Sequence, residues 1–182
     1  MPNAFDNERV KKVIDKFGYK VLGRTSICGE FEDLLKGIKH RMPTPSHCLE
    51  IGTFNGISTM ILAQYFDSVT AITKEDAGAD RSVKYKIWDY VGAKNIVCID
   101  INSNHEKKAV VDKVAFDFAY LDGDHAHDTK TDFEMTKRCG RILFHEYWPL
   151  QLPVWNLVKS LPPEEVIIAQ HDCLAYWEQP HG

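Results

Sequence analysis

Asp122, Asp124, His125, His127 and Asp128 lie within seven positions of the chain, and His145 with Glu146 forms a second, shorter group. Carboxylates and imidazoles are the side chains that exchange protons near neutral pH, and charged groups are rarely buried without partners. Each group sits at the end of a short apolar run, FDFAYLD (116–122) or RILFH (141–145). If those runs are neighbouring strands, their ends bring acids and imidazoles to the mouth of one cleft, as functional sites often do. Asp122 and Glu146 carry the hard oxygens that suit Mg²⁺, and Asp124, His125 or His145 can then act as a general base. A second segment with chemical meaning reads Glu50-Ile51-Gly52-Thr53-Phe54-Asn55-Gly56-Ile57-Ser58. Gly52 and Gly56 permit sharp turns and close approach of a ligand. This is not the dinucleotide GxGxxG, because Thr53 and Phe54 fill positions where a pyrophosphate needs bare backbone, and no GK[ST] follows to make a P-loop. An acid just ahead of the glycines suits a ligand with a positive amino group; a glycine-rich turn with no ligand is the plainer alternative.

The elements that must position these residues can be read from periodicity. Val10, Val13, Ile14 and Phe17 recur at helical spacing until Gly18, and Phe31, Leu34, Leu35 and Ile38 mark a second helix to about residue 40. Pro43 and Pro45 then break the pattern. Beyond them CLEI (48–51), SVTAIT (68–73), NIVCID (95–100), FDFAYLD and RILFH are β-forming runs separated by helical stretches. Ile57, Ile61 and Leu62 lead one helix, Val83, Ile87, Tyr90 and Val91 the next, Ser103 with Glu106 a capping box for a third, and residues 133–139 a fourth. Alternation of this kind predicts an α/β fold, a doubly wound and mostly parallel sheet with helices on both faces. A helix over 153–161 precedes VIIAQ and CLAYW, whose short connection at His171 and Asp172 allows only antiparallel neighbours. The chain is read as one domain, residues 1–45 forming a helical cover and 46–182 the α/β core.

Composition narrows the functions. The 182 residues are 44% hydrophobic and carry a formal charge of −4, which gives no electrostatic reason to expect nucleic acid as a partner. No stretch approaches a membrane span, and the segment following Met1 lacks the apolar core of a secretory signal. Cys28, Cys48, Cys98, Cys139 and Cys173 form no CxxC pair, so they read as reduced, structural thiols of a cytoplasmic protein. Among the other histidines, His40, His47 and His105 read as solvated, His181 as terminal, and His171 as a turn residue near the cleft rim. Tyr147, Trp148 and Trp155 either wall a substrate pocket or belong to the core.

The segments CLEIGTFNGISTMILAQ, FDFAYLDGDHAHDTKTDFE and RILFHEYWP together resemble the class I S-adenosylmethionine (SAM)-dependent methyltransferases. The branch they resemble includes macrocin-type O-methyltransferases of small metabolites. The resemblance spans about residues 26–177 and implies a Rossmann-like core. It implies that Glu50, Gly52, Thr53, Asn55, Gly56 and Ser58 line the methionine end of SAM. It places Thr73 where the family carries a ribose-binding acid, with Glu75 and Asp76 close behind, and Asn102 and Ser103 at the adenine, with Asp100 behind them. Asp122 is implied either to contact SAM or, with Glu146, to hold Mg²⁺. Metal-dependent relatives follow the second ligand with another carboxylate or amide, where this chain has Tyr147.

The expected activity is therefore methyl transfer from SAM to a small-molecule hydroxyl, with the acid–histidine cluster as base and a divalent cation as an optional aid. A non-catalytic SAM-binding or assembly module is the alternative, and an NAD-dependent oxidoreductase a weaker one. With so little of the chain available for a lid, a homodimer completing the cleft is a further expectation.

Overall fold

Strands apolar on both sides need helices over both faces of their sheet. The computed structural model, which describes residues 7–18, 29–74, 82–101, 103–124, 126–169 and 173–180, has that arrangement. Helices α1 (Glu8–Phe17) and α2 (Gly29–Lys39) come first, followed by β1 (His47–Ile51), α3 (Ile57–Tyr65), β2 (Ser68–Lys74), α4 (Ser82–Tyr90) and β3 (Ile96–Ile101). The remainder is α5 (Asn104–Val111), β4 (Phe118–Leu121), α6 (Thr129–Thr136), β5 (Arg141–Phe144), α7 (Leu152–Lys159), β6 (Val166–Ala169) and β7 (Leu174–Glu178). The sheet order is β3-β2-β1-β4-β5-β7-β6. The first five strands pair in parallel, and β7 lies antiparallel between β5 and β6. The expected doubly wound sheet with a C-terminal hairpin is thus present. Its hairpin strand β7 lies inside the sheet, leaving β6 at the edge.

Alternate residues of each strand feed two cores. Cys48, Tyr120, Leu143 and Tyr176 pack with α1, α2, α3 and α4, so the described part of the N-terminal segment belongs to the main core. Leu49, Ile51, Ala119, Leu121 and Phe144 face the other way, toward Val111, Phe133, Val154 and Val158 of α5, α6 and α7. Local signals set the helix ends. Asn7 accepts hydrogen bonds from the amides of Arg9 and Val10, and the Ser103 hydroxyl accepts one from Glu106 at 3.2 Å.

Two expected boundaries move. The fourth strand starts at Phe118 because Asp117 turns its carboxylate to accept the His47 amide at 2.8 Å. Helix α6 begins at Thr129, ahead of its first large apolar residue Phe133, because its opening turn is polar. No helix among the described residues is long and apolar enough to cross a membrane.

Candidate active site

Chain order reverses on either side of β1, which pairs with β2 on one edge and β4 on the other. Open α/β sheets bind ligands at such a switch, beyond the carboxyl ends of the strands. A cavity of about 330 Å³ lies there, within the range of small-molecule sites. Ile51, Ile72 and Ile101 give it an apolar floor, Gly52 and Gly123 line it as well, and Lys74, Ser103, Asn104, Lys107, Asp124, His127 and Asp128 form a polar wall.

The glycine loop owes its shape to neighbouring protein atoms. Gly52 has φ +100°, and a Cβ there would stand 2.1 Å from the Asp122 carbonyl oxygen. The loops after β1 and β4 therefore touch, held also by the Asp122 amide donating to the Ile51 carbonyl at 2.8 Å. Gly56 has φ +80°, and a Cβ there would meet the Trp88 indole at 2.6 Å. That indole, buried on α4, donates to the Gly56 carbonyl at 2.8 Å. Trp88 is a loop-shaping residue that also packs in the core.

Glu50, Thr53 and Ser58, expected to line the ligand, are buried. Ser58 Oγ donates to Glu50 Oε1 at 2.5 Å, and Thr59 Oγ1 donates to Glu50 Oε2. Thr53 Oγ1 is 2.6 Å from Thr59 Oγ1. Glu50 is fully buried, and burial pushes its carboxyl up to about 8, against the pull of the two hydroxyl bonds. The glycines bend the chain over Glu50, so the carboxylate serves the loop from within. Thr73, expected near the ribose, donates to the Thr53 carbonyl at 2.9 Å and so ties β2 to the same loop. Asn55 Oδ1 accepts from the Ile57 amide at 3.3 Å.

At the ends of β4 and β5, Asp122 Oδ1 and His145 Nδ1 lie 2.6 Å apart. The His145 side chain is almost fully buried, while Asp122 retains about a quarter of its exposure. The two strands pair in register, which brings these residues together as expected. Tyr120 lies behind, its hydroxyl 3.4 Å from Asp122 Oδ2. Glu146 takes a positive φ of 56° in the turn that follows. The proposed Mg²⁺ pair does not gain a third ligand: among the described residues no group of three or more His, Cys, Asp or Glu is placed to hold a metal ion. Asp122 Oδ1 is engaged by His145.

Asp124 lies on the other side of the cleft, accepting from the Ala126 amide at 3.1 Å and facing His127 Nδ1 at 3.3 Å. Burial raises its carboxyl, but these hydrogen bonds together outweigh it and hold the group below its usual range. Ser103 lines the cavity, whereas Asp100 is 3.7 Å from the buried Lys84. His125, Asn102, Glu75, Asp76, His171, His181 and Cys28 lie outside the described residues. His47, expected in solvent, is half-buried with Nε2 2.9 Å from Thr70 Oγ1, and burial lowers its pKa. Tyr147 is buried and stacks on Trp155 at 4.8 Å, while Trp148 stays exposed. Cys48, Cys98, Cys139 and Cys173 are free thiols.

No protein-family model and no curated protein sequence matches the chain. Solved structures do. An O-methyltransferase from Bacillus cereus in complex with S-adenosylhomocysteine (SAH) superposes with a TM-score of 0.70 at 13% identity, covering 95% of this chain and 91% of that one. The O-methyltransferase of tomaymycin synthesis from Streptomyces achromogenes, in complex with SAM, gives 0.68 at 14% identity over 96% and 91%. An rRNA methylase from Streptococcus thermophilus gives 0.59 at 16% identity over 84% and 95%. At such identities the likeness is one of architecture: this chain has the fold of SAM-dependent methyltransferases.

Proposed function

We propose that this protein is a SAM-dependent methyltransferase that methylates a hydroxyl of a small molecule. The observation that carries the reading is the cavity beyond β1, β2, β3 and β4, on a fold shared with SAM- and SAH-bound enzymes. When bound, SAM supplies an electrophilic methyl group on a sulfonium. Ile51, Ile72 and Ile101 offer an apolar bed for the adenine ring, Ser103 offers a polar edge beside it, and Gly52, against the Asp122 backbone, lies at the sulfonium end in this reading. Asp122, whose backbone meets Gly52, follows β4 at that end.

Methyl transfer needs an aligned acceptor and a destination for its proton. In this reading the acceptor oxygen forms its bond to the methyl carbon as the sulfur–carbon bond breaks, and the hydroxyl proton passes to the Asp122–His145 pair. Buried His145 is the positioning member, since its Nδ1 at 2.6 Å holds the carboxylate and shares the charge. No step is assigned to a metal ion. The tomaymycin enzyme supports a small hydroxylated acceptor, and the chain's net charge of −4 disfavours RNA.

The test is SAH formation from SAM across phenols, catechols and sugar hydroxyls. SAH accumulating in step with a methylated acceptor is the expected outcome. SAM binding with no turnover across the panel would overturn catalysis and leave a SAM-binding module.

A further inference from the structure

Strand β6 is outermost in the sheet, and among the described residues it pairs with β7 alone. Its outer row of backbone N–H and C=O groups is a template for one more strand. Folded chains usually guard such an edge with a lysine, a proline or another charge. The opposite edge follows that rule: Val97 is exposed on β3, but the same strand carries the half-exposed carboxylate of Asp100. Val166, Ile167, Ile168 and Ala169 of β6 include no charge and no proline. Ile167 and Ile168 are instead 51% and 43% exposed, and as successive strand residues they stand on opposite faces of the sheet. None of the four lines the cavity at the β1–β4 switch, so the cleft chemistry does not account for them. Branched apolar side chains beside an open backbone row are suited to strand pairing.

Symmetry and charge point to the occupant. A strand that pairs with its own copy across a two-fold axis normal to the sheet does so antiparallel, and directly opposed residues share a face. The axis therefore passes through a residue. Centred on Ile167, the register sets Ile167 against its own copy, Val166 against the partner's Ile168 and Glu165 against the partner's Ala169. No like charges oppose each other, and Glu165 is committed to its own chain, with Oε2 accepting from the Trp177 indole at 2.8 Å. Ile168 shares its face with Ala175, its register partner on β7, and the half-buried Leu157 and Leu161 pack against that same core. We propose that two copies of this chain associate through antiparallel pairing of their β6 strands, joining two seven-stranded sheets edge to edge. Because β6 and β5 both run antiparallel to β7, β6 points the same way as β5. The two clefts then face opposite ends of the joined sheet, and each is built from one chain. A homodimer of this kind completes neither cleft, unlike the one expected from the shortage of chain for a lid.

Sedimentation velocity of the intact chain tests the proposal, with wild type, Ile167→Lys and Ile167→Glu compared. Wild type is expected to sediment as a dimer at micromolar concentration. Ile167→Lys sets two lysines face to face at the axis, and opposed like charges should weaken association about 100-fold. Ile167→Glu should do the same. An equimolar mixture of the two variants sets lysine against glutamate and should recover the dimer, which an interface elsewhere on the molecule would not produce. Ile167 is half exposed in the single chain, so both variants should keep the circular dichroism of wild type. If neither variant folds, hydrogen exchange of wild type decides the matter, with the outward-pointing amides of β6 protected in the dimer. Four results would overturn the proposal: wild type that stays monomeric at high micromolar concentration, a dimer that survives Ile167→Lys, a variant mixture that stays monomeric, or outward β6 amides that exchange freely in the dimer.

Discussion

Glu50 makes stability depend on pH in an unusual direction. Its carboxyl is fully buried beneath the glycine loop and is raised from an ordinary 4.5 to about 8, with burial the largest cause. Between these values the folded chain holds a proton that the unfolded chain has released. Folding is therefore favoured by protons there, and stability falls as pH rises through the window. At about 1.36 kcal/mol per pH unit, the full difference between the protonated and ionised forms is on the order of 5 kcal/mol, of which roughly half falls between pH 5 and pH 7. Glu50→Gln keeps an acceptor for Ser58 or Thr59 and removes the titration. Urea unfolding of both proteins from pH 5 to pH 9 isolates the contribution, because other titrating groups cancel in the difference. The variant should gain on wild type steadily up to about pH 8 and then level off. A difference that stays flat across the range would refute the buried, raised carboxyl, and with it the view that Glu50 serves the loop from below.

Other substitutions probe the remaining contacts. Gly52→Ala drives a Cβ into the Asp122 backbone and strains a φ of +100°, so a loss of roughly 2–4 kcal/mol is expected in urea unfolding. Trp88→Phe leaves the Gly56 carbonyl without its indole donor and should cost about 1–2 kcal/mol by the same measurement. Lys107→Met removes the cation from the buried Asp132 carboxylate and should cost about 3–5 kcal/mol, with Lys107→Met plus Asp132→Leu recovering most of it. His145→Ala should lower kcat on the order of 100-fold while the SAH dissociation constant stays close to wild type, which separates proton handling from cofactor binding.

The sheet was legible because its signals are local. Short β-branched runs, glycine stops and the Ser103 cap each act within a few residues. The pairing of β4 with β5 then followed, and with it the meeting of Asp122 and His145. What the sequence hides is the direction in which a side chain points across the fold. The order E-x-G-x-x-x-G looks the same whether Glu50 faces a ligand or, as here, bonds Ser58 and Thr59 below it. Gly56 reads as room for a ligand, yet the atom that needs the room belongs to Trp88, on a helix far along the chain. Lys107 and Asp132 each look like solvated helix charges, and only the packing of α5 on α6 turns them into a buried pair. His47 reads as solvated in the sequence for the same reason, its partner Thr70 lying on the adjacent strand.

The central claim is that the cavity at the β1–β4 switch accepts SAM. Titration calorimetry of the intact chain with SAH, using NADH as a control, tests it most directly. Stoichiometric SAH binding in the micromolar range, with no heat from NADH, is the expected result. No SAH binding at high micromolar concentration, or NADH binding in its place, would contradict it.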